Sequence, residues 1–207
     1  MLPVLKGSAA FRRGTAAFSL LEMLITLVLI IIIFVMLYGH GAAGQALTRK
    51  KKCQKNLQDL HVALQIFAND RDGLLPVVNG AKTSEPVLAQ LVPKYISITA
   101  PFICPASKDS KLPEGEPIAE RKISYAYYMG RRATDADEVL ISDAQVDTLA
   151  KSKGDMVFSS TGKQPGNNHH KYGGNFLFVD GRLEMSTAKA PFPLPLTNGV
   201  ILLNPKP

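Results

Sequence analysis

Apolar residues fill the chain from Phe18 to Tyr38 almost without interruption, about 21 positions with no Pro, no Gly and a single charge, Glu22. At ~1.5 Å per residue a helix here covers the ~30 Å hydrocarbon core of a bilayer, so a membrane-spanning helix is predicted. Gly39, Gly41 and Gly44 follow, each disfavouring helix by about 1 kcal/mol relative to Ala, and they predict a soft point. From Gln45 to Asn69 the pattern becomes amphipathic. Cys53, Leu57, Leu60, Leu64 and Phe67 recur at spacings of four, three, four and three, one helical face, while Lys50, Lys51, Gln54, Lys55, Gln58 and Asp59 occupy much of the remainder. Together the two stretches predict one rod of about 50 residues and about 80 Å, its first half in lipid and its second half carrying a head domain. Asp70-Arg71-Asp72-Gly73 ends the rod: acids disfavour a helix C-terminus, Gly73 accepts left-handed backbone, and Pro76 prevents resumption.

The head is written in shorter words. Thr83-Ser84-Glu85-Pro86 reads as a cap before a short helix, Val87 to Val92, stopped by Pro93. A polar stretch from Ser107 to Glu120 is expected to be loop, and strands are predicted at Ile123–Met129 and Glu138–Ser142. Asn175–Val179 and Arg182–Met185 flank Asp180-Gly181, a strong signal for a two-residue type I′ hairpin. That register pairs Phe178 with Leu183 and Phe176 with Met185, putting all four on one face, for which the Leu57/Leu60/Leu64 stripe is the expected apolar partner. After Ala188 the Pro-rich segment (Pro191, Pro193, Pro195, Pro205, Pro207) predicts an extended, loosely attached tail.

Length and charge refine this picture. The chain's 207 residues suit one modest domain plus an anchor. Lys6, Arg12 and Arg13, with no acid among residues 1–17, supply +3 of the formal +7 and leave +4 on the rest. Arg49, Lys50, Lys51, Lys52 and Lys55 form a local cluster, for which lipid headgroups, a neighbour's acids and plain solvation are all open readings. With no wider basic stripe, no nucleic-acid partner is expected. Glu22 is the anomaly, because a carboxylate inside lipid costs about 2.5–3.5 kcal/mol and so calls for a partner or a function. Phe18 lies one helical turn earlier, and a cut before it would uncover a cationic amine near the same face.

A short basic leader, then Ala17 and Phe18-Ser19-Leu20-Leu21-Glu22 opening an apolar helix, resembles the type IV prepilin signal shared by pilins and type II secretion pseudopilins. Downstream, Cys53-Gln54-Lys55-Asn56-Leu57, Asp70-Arg71-Asp72-Gly73 with Pro76, Phe102-Ile103-Cys104-Pro105, Ser124-Tyr125, and His170 followed after nine residues by Asp180-Gly181 resemble the branch with a C-terminal His-(nine residues)-Asp-Gly signature. The likeness runs discontinuously from Phe18 to Met185.

This resemblance implies an α+β, pilin-like fold, with the long N-terminal helix packing its C-terminal half on a small antiparallel sheet. It further implies cleavage between Ala17 and Phe18 by a prepilin peptidase, methylation of the new amine, and a filament role for Glu22. Most of the family has Gly before the cut; cutting after Gly14 here would place the acid eight residues in, which favours the Ala17–Phe18 bond. The implied partners are the membrane, the peptidase, copies of the chain, other pseudopilins and an inner-membrane assembly platform. The expected divisions are leader 1–17, transmembrane half-helix 18–44, periplasmic half-helix 45–72, head 73–188 and tail 189–207. A cytoplasmic N-terminus and a periplasmic head follow from the cleavage signal. Counting charges alone favours the reverse, since the 49–55 cluster outweighs the leader. A cleavable secretory signal ending in Gly41-Ala42-Ala43-Gly44-Gln45-Ala46 is the competing reading, and the apolar run exceeds the ~7–15 residues of such a signal.

Candidate chemistry is sparse. Cys53 and Cys104, the only cysteines, would face an oxidising periplasm as a disulfide or as two buried thiols; a bridge would contribute about 3–4 kcal/mol. His169, His170, Asp180 and Glu184 suggest a metal set, but turn chemistry accounts for Asp180 and no short ligand spacing supports one, so no metal or cofactor is expected. His170 is expected to bond loop backbone groups. Ser159, Ser160, His169 and Asp143 could be assembled into a triad, yet no nucleophile elbow accompanies them, and no enzymatic role is expected. A filament subunit is the leading reading. A membrane-anchored periplasmic domain binding a ligand or metal near His169, His170 and Asp180 is the alternative.

Overall fold

Nineteen residues without a helix breaker make α1, Leu20–Tyr38, and among the described residues Leu20 through Leu37 form one helix long and apolar enough to cross a membrane, with its large side chains exposed. The computed structural model describes residues 19–38, 42–114, 117–197 and 199–207. The leader, the Ala17–Phe18 bond and the continuity of the rod through Gly39 and Gly41 lie outside these. By its internal contacts the chain divides at Gly41, and the second unit begins with α2, Ala42–Asn69.

Along α2 the stripe Cys53, Leu57, Leu60, Leu64 and Phe67 is buried. Past Asn69 the backbone turns left-handed at Asp72 (φ 53°) and Gly73 (φ 79°), and the Gly73 amide donates back to the Ala68 carbonyl at 2.8 Å. The short helix α3 spans Glu85–Leu88 and continues as a 3₁₀ turn, Ala89–Leu91. Ser84 does not cap it with its side chain; its hydroxyl donates instead to the Tyr125 carbonyl at 2.7 Å, fastening this segment to the sheet.

Five strands follow: β1 Tyr125–Met129, β2 Val139–Asp143, β3 Gly174–Phe178, β4 Leu183–Ser186 and β5 Ile201–Leu203. They form one antiparallel sheet in the order β4-β3-β2-β1-β5. The protein is thus α+β, with an apolar N-terminal helix and a five-stranded antiparallel sheet. Strands β1 to β3 are buried on both faces, so the sheet is the middle of three layers and not half-solvated.

The hairpin register differs from the predicted one by a single residue. Leu177 pairs with Leu183, Phe176 with Glu184 and Asn175 with Met185. Only Gly181 (φ 90°) takes positive φ in the turn, so the loop has three residues, closed by Gly181 N–H to the Phe178 carbonyl (3.0 Å) and Phe178 N–H to the Arg182 carbonyl (2.9 Å). Val179 is drawn into the turn from outside the hairpin: its side chain is buried, and His61 Nε2 and Gln65 Nε2 of α2 lie 2.9 and 3.0 Å from its carbonyl oxygen.

The one-residue slip turns β3 over and leaves Leu183 facing α2. Leu177 and Val179 join the α2 stripe in one core with Leu183 packed against it, whereas Phe176 and Phe178 point the other way and Met185 is 40% exposed. The Phe face is covered by the Pro-rich segment. Phe192 stacks 5.3 Å from both Phe176 and Phe178, Ala190, Leu194 and Leu202 are buried beside them, and β5 completes the sheet on β1. The C-terminal segment is therefore structural, a strap and not a loose tail.

Gly174 on β3 makes room for this second core, since a Cβ there would come within 2.6 Å of the Phe158 ring. Leu194→Ala should lower head stability by about 2 kcal/mol, the low end for a buried Leu because the strap is irregular and can relax. Urea unfolding of the variant checks this, and an unchanged midpoint would mean the strap is only loosely held.

Candidate functional site

Two places carry the unusual chemistry, one in each unit. Glu22 lies in the first turn of α1, its side chain exposed and its backbone amide bonded to the Ser19 carbonyl at 2.9 Å. It is the one acid in a helix that is otherwise apolar but for Thr26, placed where the helix dipole favours a negative charge. Its expected companions, Ala17 and Phe18, are outside the described residues.

The second place is buried where α2 meets the sheet. Cys53 of α2 and Cys104 of the loop after the 3₁₀ turn Ala100–Phe102 are joined as a disulfide, Cα atoms 5.3 Å apart. Beside Cys104, at 3.5 Å from its Sγ, stands His169 Nε2, and the same nitrogen is 3.1 Å from Asp143 Oδ2. Both side chains are fully buried. Asp143 ends β2 and gathers donors: Asn168 Nδ2 to Oδ1 (3.0 Å), and the Asn175 amide N–H (2.7 Å) and Nδ2 (2.9 Å) to Oδ2. Burial pushes its pKa up, but His169, Asn168 and Asn175 outweigh burial and hold it below the ordinary 3.8.

The backbone explains why His169 and not its neighbour is inside. His170 adopts left-handed backbone (φ 58°), its amide donating to the Asn167 carbonyl at 2.8 Å, and this turn sends the His169 ring inward and leaves His170 exposed over Gly162. It is His169 that is held in the network, whereas the sequence reading gave His170 a part, bonding loop backbone groups, and no such part to His169. Asp180 serves the hairpin, its Oδ1 accepting from the Arg182 amide at 2.8 Å, while Gly181 lies under His61, whose ring would meet a Cβ at 2.8 Å. Glu184 pairs with Arg182 at 3.7 Å. His169, His170, Asp180 and Glu184, the set weighed from the sequence and set aside, do not come together; among the described residues the groups close enough to share an ion are Cys53, Cys104, Asp143 and His169.

Nor does the His169–Asp143 pair form a nucleophile relay. Sulfur and carboxylate face the same ring nitrogen, whereas a relay needs one on each nitrogen. Ser159 is engaged in its own turn, its Oγ accepting from the Gly162 amide at 3.0 Å.

Lys50 was missed as a buried residue. Lipid headgroups, a neighbour's acids and solvation were its open readings, yet it is 7% exposed, and its ammonium donates to the Tyr172 (3.0 Å) and Ser186 (2.7 Å) carbonyls. Burial lowers its pKa, partly offset by the attraction of Asp143. Its own carbonyl accepts from Asn175 Nδ2 at 3.4 Å, so α2, β2 and β3 share one polar network next to the disulfide. Lys50→Met should destabilise the head by about 1–2 kcal/mol, because two carbonyls lose a charged donor while a buried charge is relieved. Chemical denaturation checks it, and a stabilised variant would show that desolvation dominates.

Comparison with family models, with curated proteins and with solved structures returns no match.

Proposed function

We propose that this chain is a structural subunit, pseudopilin-like or pilin-like, of a type II secretion or type IV pilus-like filament, anchored by α1 in the inner membrane with its head in the periplasm. A prepilin peptidase cuts before Phe18, the new amine is methylated, and it meets a Glu22 carboxylate within one chain or between neighbours. The single observation that carries this reading is the lone acid in the first turn of an apolar helix that is exposed from Leu20 to Leu37. In lipid such an acid is tolerable when a cation neutralises it, and self-association then packs the exposed side chains.

The second unit fits a mechanical role. α2 is fastened to the head by the disulfide to the Cys104 loop, by Lys50 to Ser186 of β4, and by the His61 and Gln65 contacts to Val179 of the β3–β4 turn, so a pull on α2 is spread over the head. We read this half-helix on an antiparallel sheet as pilin-like.

The test places a photo-crosslinking residue at Ile30 of the full chain, in cells that also make the processing peptidase and the assembly platform. A ladder of crosslinked oligomers is expected. Monomer alone, with the chain processed and in the membrane, would overturn the proposal and favour an anchored domain that never polymerises.

A further inference from the structure

We propose that Cys53, Cys104, Asp143 and His169 form a binding site for one zinc-class divalent cation when the Cys53–Cys104 bond is reduced, so that the cluster has two mutually exclusive fillings, a disulfide or a metal. The ligand atoms of these four buried residues all lie within 4.8 Å of one another. Two thiolates, an imidazole nitrogen and a carboxylate oxygen are a tetrahedral zinc set, whose ligands stand about 3.3–3.8 Å apart around the ion. Opening the disulfide lets the sulfurs separate to that distance, and the remaining ligands need close by only about 1 Å.

The carboxylate ligand already has an outer shell. Asn168 and Asn175 hold the Asp143 carboxylate through three N–H donors. His169 directs Nε2 at the sulfur and the carboxylate, while its Nδ1 is buried without a hydrogen-bond partner, so the ring is aimed by its cluster side.

The chemistry balances as follows. A dithiol reductant gives two electrons and two protons to the disulfide, becoming a disulfide itself and leaving two cysteine thiols. The cation displaces both thiol protons to solvent, and the imidazole proton moves from Nε2 to Nδ1 so that Nε2 can ligate. Two thiolates and one carboxylate around a divalent ion leave one negative charge, which the buried Lys50 ammonium, attracted by Asp143, offsets in part. The four ligands come from α2, the Cys104 loop, the end of β2 and the loop before β3, so the ion replaces the covalent tie of α2 to the head before the thiols meet an oxidant.

The full chain in detergent, reduced with a phosphine under argon, is titrated with Co²⁺. One equivalent should produce the d–d bands of tetrahedral cobalt and a thiolate-to-cobalt charge-transfer band, both bleached by Zn²⁺. Zn²⁺ should also raise the melting temperature of the reduced chain and leave that of the oxidised chain unchanged. His169→Ala should weaken cobalt binding at least about tenfold. Reduced wild type that binds no cobalt, or only octahedral cobalt without charge transfer, overturns the proposal without reference to any variant, as does equal binding by the oxidised chain.

Discussion

Replacing Asp143 with alanine should lower the stability of the head by about 3–5 kcal/mol, because several buried hydrogen-bonding groups lose a charged acceptor at once. Asn168 and Asn175 would lose the acceptor that both carboxylate oxygens now provide, His169 Nε2 would lose its partner, and water cannot replace any of it at zero exposure. For a domain of this size the melting temperature should fall by roughly 6–20 °C. Asp143→Asn should not rescue it, because an amide nitrogen in either orientation would face a donor, Asn168 Nδ2 or the Asn175 N–H groups.

The pH dependence has a definite sign. A carboxyl whose folded-state pKa lies below its unfolded value stabilises the fold fully above that value, and the contribution is lost as pH falls through the folded one. Wild type should therefore lose stability on acidification below about pH 4, and Asp143→Ala should lose less over the same range. Thermal melts at neutral and acid pH measure both effects. A variant as stable as wild type, with an unchanged acid limb, would mean the network is incidental to the fold.

The second large effect belongs to Glu22. Glu22→Ala should leave membrane insertion intact or improved, since about 2.5–3.5 kcal/mol of carboxylate burial is removed, while reducing the assembled fraction by about 100-fold. The two readouts move in opposite directions, which a merely misfolded variant would not produce. Sheared-filament and membrane fractions from the same cells separate them. If the variant assembles like wild type, the acid is a passive feature of α1.

Periodicity made α2 legible, because the Cys53, Leu57, Leu60, Leu64 and Phe67 stripe needs only local spacing to be read. Asp180-Gly181 located the turn for the same reason. Its register was not legible, because Val179 is captured by His61 and Gln65, more than a hundred residues earlier in the chain, and that single slip exchanged Leu177 for Phe176 on the helix-facing side.

The Pro-rich segment misled through composition. Pro limits helix and central strands but does not prevent Phe192 and Leu194 from covering a sheet. Lys50 and Lys51 are equivalent as letters, and only the carbonyls of Tyr172 and Ser186 distinguish them. His169 and His170 are likewise adjacent, and the left-handed turn at His170 decides which ring is buried. A histidine pair beside glycines in a loop was the available signal for the cluster; its other members, Cys53, Cys104 and Asp143, are brought together by the fold alone.

Whether trimming uncovers a cation for Glu22 is tested most directly by the N-terminal residue and intact mass of the full chain recovered from membranes of cells containing the processing peptidase. The predicted result is a chain lacking residues 1–17 and beginning at Phe18 with a methylated amine. A chain that still begins at Met1, or one that starts near Ala46, would contradict it.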